Sequence, residues 1–162
     1  YNHFVTDREE PFDQPGTPEE PKGHYIFDKP EPLWNFGHGK SYTTFDYVDC
    51  ALSDTLLAAS DTLKVSVMIK NTGRCDGKEV VQLYVRDKVS TVATPIQQLK
   101  AFQKVLVKSG ESQCVELSLP IAELALYNAK MEEVVEPGDF EIQIGAASDD
   151  IRFKKTITIN RK

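Results

Sequence analysis

Between residues 62 and 71 every second side chain is apolar: Leu63, Val65, Val67 and Ile69 alternate with Lys64, Ser66, Met68 and Lys70. A period of two sorts side chains onto opposite faces of an extended strand, one dry and one wetter, and a helix cannot satisfy it. The pattern recurs along the chain. Asn71-Thr-Gly-Arg-Cys-Asp-Gly77 supplies turn residues, and a strand is expected from Glu79 to Asp87. That segment carries Val81, Leu83 and Val85 on one face with Val80 and Tyr84 on the other, so it reads as a central strand. Leu99 to Val107 reads as the next strand, ended by the Lys108-Ser-Gly-Glu111 turn. Val115, Leu117 and Leu119 then alternate with Cys114, Glu116 and Ser118, and Phe140, Ile142 and Ile144 with Glu141 and Gln143 after Pro137-Gly138-Asp139. Ile151, Phe153, Ile157 and Ile159 form a last strand. Lys155 intrudes on its inward register and reads as an edge or bulge position that guards against aberrant pairing. Pro120 to Leu126 is the one plausible helical turn, with Ile121, Leu124 and Ala125 on one face. Leu119-Pro120, Leu124 and Tyr127 suggest a tyrosine corner with a buried ring. Seven or eight short strands at this spacing specify an all-β, two-sheet sandwich.

The first 32 residues break the pattern. They hold Pro11, Pro15, Pro18, Pro21, Pro30 and Pro32, with eight carboxylates against three basic residues. Proline fixes φ and removes a donor, so regular elements cannot run through such a stretch. The expected division is an extended, acidic, Pro-rich arm and interdomain linker over residues 1–40, then the sandwich over 41–162. Tyr25, Ile26 and Phe27 are the apolar cluster that would dock the arm. Tyr1-Asn-His-Phe-Val5 reads as mid-chain sequence, so a piece of a longer protein is expected. An apolar fraction of 40% supports a core, and a net charge of −6 argues against nucleic acid, whose phosphates would repel the chain. No apolar run reaches bilayer-spanning length.

Gly39-Lys40-Ser41 matches the tail of a phosphate-binding loop, but Trp34 stands where its first glycine belongs, and the β-type run Tyr42-Thr-Thr-Phe45 follows where a helix is required. His3, His24 and His38 lie at no shared helical or strand spacing. His38 reads as a hydrogen-bonded turn residue, with Gly37 and Gly39 on either side permitting the bend. Cys50, Cys75 and Cys114 lack metal-type spacing. Cys50 and Cys114 are expected half-buried in strands and Cys75 exposed in a turn, with one disulfide left open. Glu9-Glu10, Glu19-Glu20, Glu132-Glu133 and Asp149-Asp150 are adjacent pairs that point to opposite strand faces, whereas retaining glycoside hydrolysis needs two carboxyls about 5–5.5 Å apart. They read as surface groups or turn caps, with Asp149-Asp150 ordering the turn into the last strand. Ser41 and Ser148 sit in no strand–elbow–helix pattern. Trp34, Tyr42 and Tyr84 are the candidate aromatic platform for a sugar, but packing at the domain edge is the better explanation of Trp34. No catalytic, cofactor-binding or metal-ligating residue is expected, and no cofactor.

Several ordered motifs together resemble one family. Pro32-Leu-Trp-Asn-Phe-Gly-His-Gly-Lys-Ser-Tyr-Thr-Thr-Phe45 is similar to the start of the C-terminal domain of family 3 glycoside hydrolases, enzymes of β-glucosidase and β-xylosidase type. Asn71-Thr-Gly with Asp76-Gly-Lys-Glu-Val-Val-Gln-Leu-Tyr-Val85 resembles that domain's core hairpin, and Pro95 with Gln98-Leu-Lys-Ala-Phe-Gln-Lys-Val105 its next strand. Val135-Glu-Pro-Gly-Asp-Phe-Glu-Ile142 and Ile144-Gly-Ala-Ala-Ser-Asp-Asp-Ile151 resemble its last hairpin. The likeness covers about residues 32–159; Ala101 departs from an expected glycine and Ala147 from an expected serine. It implies an immunoglobulin/fibronectin type III-like sandwich and a retaining parent hydrolase acting on plant or dietary glycans. The family's catalytic carboxylates lie in preceding domains, so none is carried onto these residues. The implied partners are the N-terminal catalytic domains of the same chain and, through them, a carbohydrate substrate, in a periplasmic or secreted protein. The alternative is a carbohydrate-binding or protein-interaction sandwich.

Overall fold

The structure is a computed structural model that describes residues 32–92 and 94–160. In chain order the strands are β1 (Phe45–Leu52), β2 (Leu56–Leu57), β3 (Thr62–Asn71), β4 (Gly77–Asp87), β5 (Gln98–Val107), β6 (Ser112–Pro120), β7 (Leu126–Tyr127), β8 (Glu133–Val134), β9 (Gly138–Gly145) and β10 (Ile151–Ile159). One sheet runs β1-β3-β6 and the other β2-β10-β9-β4-β5, while β7 and β8 form a small separate hairpin. Every pairing is antiparallel except the two-residue contact of β2 with β10. This is the expected two-sheet sandwich.

The alternation that marks β3 is also what builds the core. Leu63, Val65, Val67 and Ile69 are fully buried beside Val115, Leu117 and Leu119 of β6 in the same sheet, and share one core with Val81, Leu83 and Val85 of β4 and Ile142 and Ile144 of β9 in the other. Each such side chain contributes about 1.5–3 kcal/mol on burial. β4 lies between β9 and β5, as its doubly apolar sequence requires. The short 3₁₀ turn Ile121–Leu124 buries Ile121 and Leu124 against the same core. Lys155 is exposed on a stretch of β10 that β2 does not reach, an edge position as expected. The register shift in β10 falls earlier, between Ile151 and Phe153.

Three expectations are corrected. Tyr127 is 60% exposed, so no buried tyrosine corner forms there; β7 carries it on a hairpin that stands apart from the two main sheets. Cys114 is exposed, because Val115 takes the inward register of β6 and turns its neighbour to solvent. Cys50 is buried, Cys75 is exposed, and all three thiols are free. Finally, strand pairing starts at Phe45, because the preceding threonines serve the turn: Thr43 donates its hydroxyl to Asn71 Oδ1 at 2.7 Å. Most of the expected arm, including Tyr25, Ile26 and Phe27, lies outside the described residues.

Candidate functional site

The core takes one face of β4, and the other carries Val80, Gln82 and Tyr84. Gln82 and Tyr84 project outward from the five-stranded sheet, yet both are buried, because residues 35–37 of the lead-in loop lie across them. Gln82 Nε2 donates to the Gly37 carbonyl at 3.0 Å and to the Ala146 carbonyl, and the Tyr84 hydroxyl donates to Gln82 Oε1 at 2.5 Å. The Ser148 amide donates to the Phe36 carbonyl at 2.9 Å, and Asn35 Nδ2 to Asp149 Oδ2 at 2.6 Å. Gln97 Nε2 reaches the Ser148 carbonyl at 2.7 Å and ties in the segment before β5. The Phe36 ring meets Tyr84 edge-on, with centroids 6.5 Å apart. Burial, and then the nearby Asp149 charge, push the Tyr84 phenol up to about 12, so it stays a neutral donor. These contacts form a latch that fixes how the chain arrives at the sandwich.

Gly37 makes the latch possible. Its φ of +81° is a conformation that glycine adopts at no steric cost, and an added Cβ would collide with Gln82 Oε1 and the Tyr84 hydroxyl. Gly39 has no left-handed φ, and nothing lies within 4 Å of where its Cβ would be, so the bend expected of both glycines rests on Gly37 alone. His38 is a turn residue: its amide donates to the Asn35 carbonyl at 3.0 Å, and its ring stacks on Trp34 with centroids 4.6 Å apart. Lys40 Nζ sits 5.1 Å from the Trp34 ring centroid, a cation–π contact in place of phosphate binding. The aromatic platform does not assemble, because Tyr84 is 1% exposed beneath the loop while Tyr42 stands free in solvent. Trp34 is 57% exposed rather than packed into the sandwich.

In both carboxylate pairs within the described residues, Glu132-Glu133 and Asp149-Asp150, carboxylates have structural work. Asp149 holds Asn35, and Asp150 makes a two-pronged ion pair with Arg152. Backbone bonds from Ala146 to Asp150 and from Asp150 to Ala147 close the turn into β10, as expected of that pair. Glu132 accepts from Asn128 Nδ2 across the small hairpin. Glu9-Glu10 and Glu19-Glu20, with His3 and His24, lie outside the described residues. Among the described residues no three His, Cys, Asp or Glu side chains gather where a metal could sit.

Two polar clusters escaped the sequence reading. Asn71, fully buried at the end of β3, uses all its hydrogen-bonding capacity: Nδ2 donates to the Cys75 and Val107 carbonyls, and Oδ1 accepts from Thr43 Oγ1 and the Gly73 amide. In sequence it was one turn residue among several. Tyr47 on β1 donates to Glu79 Oε1 on β4 at 3.0 Å and so joins the two sheets, with the Arg152 guanidinium 5.7 Å over its ring. Burial raises the Glu79 carboxyl above the ordinary glutamate range, and burial followed by the Glu79 charge raises the Tyr47 phenol. A Tyr–Glu pair from non-neighbouring strands leaves no spacing signal.

Beside the latch, a groove of about 370 Å³ opens between the loop and the outer face of β4 and β5. Phe36, Gly37, Lys40, Val80, Leu99 and Phe102 line it. It is predominantly apolar, and the carboxylate in its lining, Glu79, is engaged by Tyr47.

Residues 79–148 match the model of the Fibronectin type III-like domain. The chain carries a fibronectin type III-like domain. Its relatives include family 3 β-glucosidases and β-xylosidases. The chain is 43% identical over 143 residues to a β-xylosidase of Formosa agariphila, covering 87% of this chain and 19% of that protein. It is 34% identical over 155 residues to the periplasmic β-glucosidase of Salmonella typhimurium, covering 94% of this chain and 20% of that one. Among solved structures, the β-glucosidase of Listeria innocua in complex with isofagomine superposes with a TM-score of 0.79 at 32% identity, covering 98% of this chain and 22% of its own. The chain thus spans about a fifth of the length of the relatives it matches. The fibronectin type III-like domain is a small part of these multidomain enzymes, and in this chain it carries the latch across its five-stranded sheet. No helix among the described residues is long and apolar enough to cross a membrane.

Proposed function

We propose that this chain is the C-terminal accessory domain of a family 3 glycoside hydrolase, and that it packs against and stabilises that enzyme's catalytic domains. The observation that carries the reading is the match of nearly the whole chain to about a fifth of β-glucosidases and β-xylosidases. The latch supports the stabilising role: a loop fixed to the sheet by side-chain and backbone bonds gives a preceding domain a defined angle of approach. The parent is a retaining exo-glycosidase of β-glucosidase or β-xylosidase type whose reacting carboxylates lie upstream. Its carbohydrate substrate meets those domains. Residues 1–40 are the arm and linker, and residues 41–162 the sandwich. The location is periplasmic or secreted, a reading favoured by the name of the Salmonella relative. Neither nucleic acid nor a membrane span enters the function.

The test is catalytic. The purified 162-residue chain and the full-length protein are assayed on nitrophenyl β-glucoside and β-xyloside. Turnover by the full-length protein and none by the shorter chain is expected. Turnover by the shorter chain would overturn the accessory role, and an inactive full-length protein the glycosidase reading.

A further inference from the structure

The outer face of β4 and β5 carries more apolar surface than a solvent-facing sheet needs. Strand register places Gln82 opposite Phe102, Val80 opposite Lys104 and Lys78 opposite Leu106, all on the side away from the core. Phe102 is 66% exposed and Leu106 55%, with Val80 and Leu99 half-buried beside them. β5 is the last strand of its sheet, a position where exposed apolar side chains invite association. Contiguous apolar surface rimmed by charge marks an interaction site. Here the rim is basic: Lys78 and Lys104 have no carboxylate partner among the described residues.

We infer that this face is the docking surface for the catalytic part of the same polypeptide, which presents to it an apolar ridge bordered by carboxylates. The inference rests on the accessory-domain reading above. Two observations select this occupant. Relatives extend over about four further fifths of sequence beyond what the chain covers, which supplies a large body of protein that a tether can hold beside the sandwich. The lead-in loop, at Phe36 to Lys40, forms the lip of the groove, so chain preceding it reaches the sandwich at this face. A covalent tether makes docking intramolecular, and a modest apolar patch then suffices. Ion pairing of Lys78 and Lys104 sets the orientation.

The test is hydroxyl-radical footprinting of Phe102 and Leu106 in the full-length protein and in the 162-residue chain. Several-fold weaker labelling in the full-length protein is expected, with Tyr127 labelled equally in both. Equal labelling of Phe102 overturns the inference, even where the full-length protein hydrolyses its glycoside and the accessory reading stands. Protection already present in the 162-residue chain also overturns it: lost on dilution, it identifies a second copy as the occupant, and independent of dilution, the chain's own arm. In a second arm, Phe102→Asp with Leu106→Asp in the full-length protein should split calorimetric melting into two transitions, while Tyr127→Asp leaves it unchanged. A single unchanged transition in the double variant counts against the inference.

Discussion

Gly37→Ala is the most informative substitution in this chain. Alanine at a φ of +81° costs about 1–2 kcal/mol from the backbone alone. Its Cβ also meets the Gln82 amide and the Tyr84 hydroxyl, both buried and hydrogen-bonded to each other, so neither can retreat freely. Displacing the loop removes the Gly37 acceptor from Gln82 Nε2, and an unpaired buried donor costs about 1–3 kcal/mol. The sum is about 2–5 kcal/mol, a fall of about 1–2.5 M in urea midpoint for a slope near 2 kcal/mol/M. Trp34 is the chain's one tryptophan and stacks on His38 inside this loop, so its emission reports the latch while circular dichroism at 218 nm or so reports the sheets. Gly37→Ala should shift both, and Trp34 emission should change before any denaturant is added. Gly39→Ala is the control, since its Cβ enters open space without a left-handed φ. A Gly37→Ala midpoint indistinguishable from that of Gly39→Ala would refute the latch.

Other outcomes follow from the same structure. Asn71→Ala should cost about 2–4 kcal/mol in chemical denaturation, because two carbonyls and a backbone amide lose their partner together. Asn71→Asp should not rescue it, since a carboxylate cannot donate to the Cys75 and Val107 carbonyls. Met131 holds a φ of +63° on an exposed hairpin, so Met131→Gly should raise stability by up to about 1 kcal/mol, read as a higher melting temperature. Burial raises the Glu79 pKa in the folded state, so its proton is bound more tightly there than in the unfolded chain. The stabilisation is complete below the ordinary glutamate value of about 4.3 and is lost as pH rises through the folded-state value. Glu79→Gln keeps an acceptor for Tyr47 and should flatten that part of the stability–pH curve, measured by urea midpoints across it.

The strands were legible because the core is periodic. Leu63 to Ile69 and Val81 to Val85 announce their faces in the chain itself, and both faces were assigned as the structure has them. Tyr127 was misread because exposure there depends on which neighbouring elements cover a strand, and no local pattern records that, whereas the exposure of Cys114 was already written in its alternation with Val115, Leu117 and Leu119. The latch was half legible. Two glycines around His38 marked a bend, but Gln82, Tyr84, Ser148 and Asp149 meet the loop across 45 to more than 100 residues of sequence. Gln82 and Tyr84 stand on the outward register of β4, where polar residues usually mean solvent; only the loop above them makes them buried.

The central claim is that this domain braces a glycosidase without taking part in its chemistry. The most direct measurement compares the full-length protein with a form ending at residue 31, following loss of nitrophenyl glycoside hydrolysis as temperature is raised. The shortened form should lose activity at a distinctly lower temperature, while the pH dependence of its remaining turnover matches that of the full-length protein. An unchanged inactivation temperature would contradict the bracing role, and an altered pH profile would place residues of this domain in the chemistry.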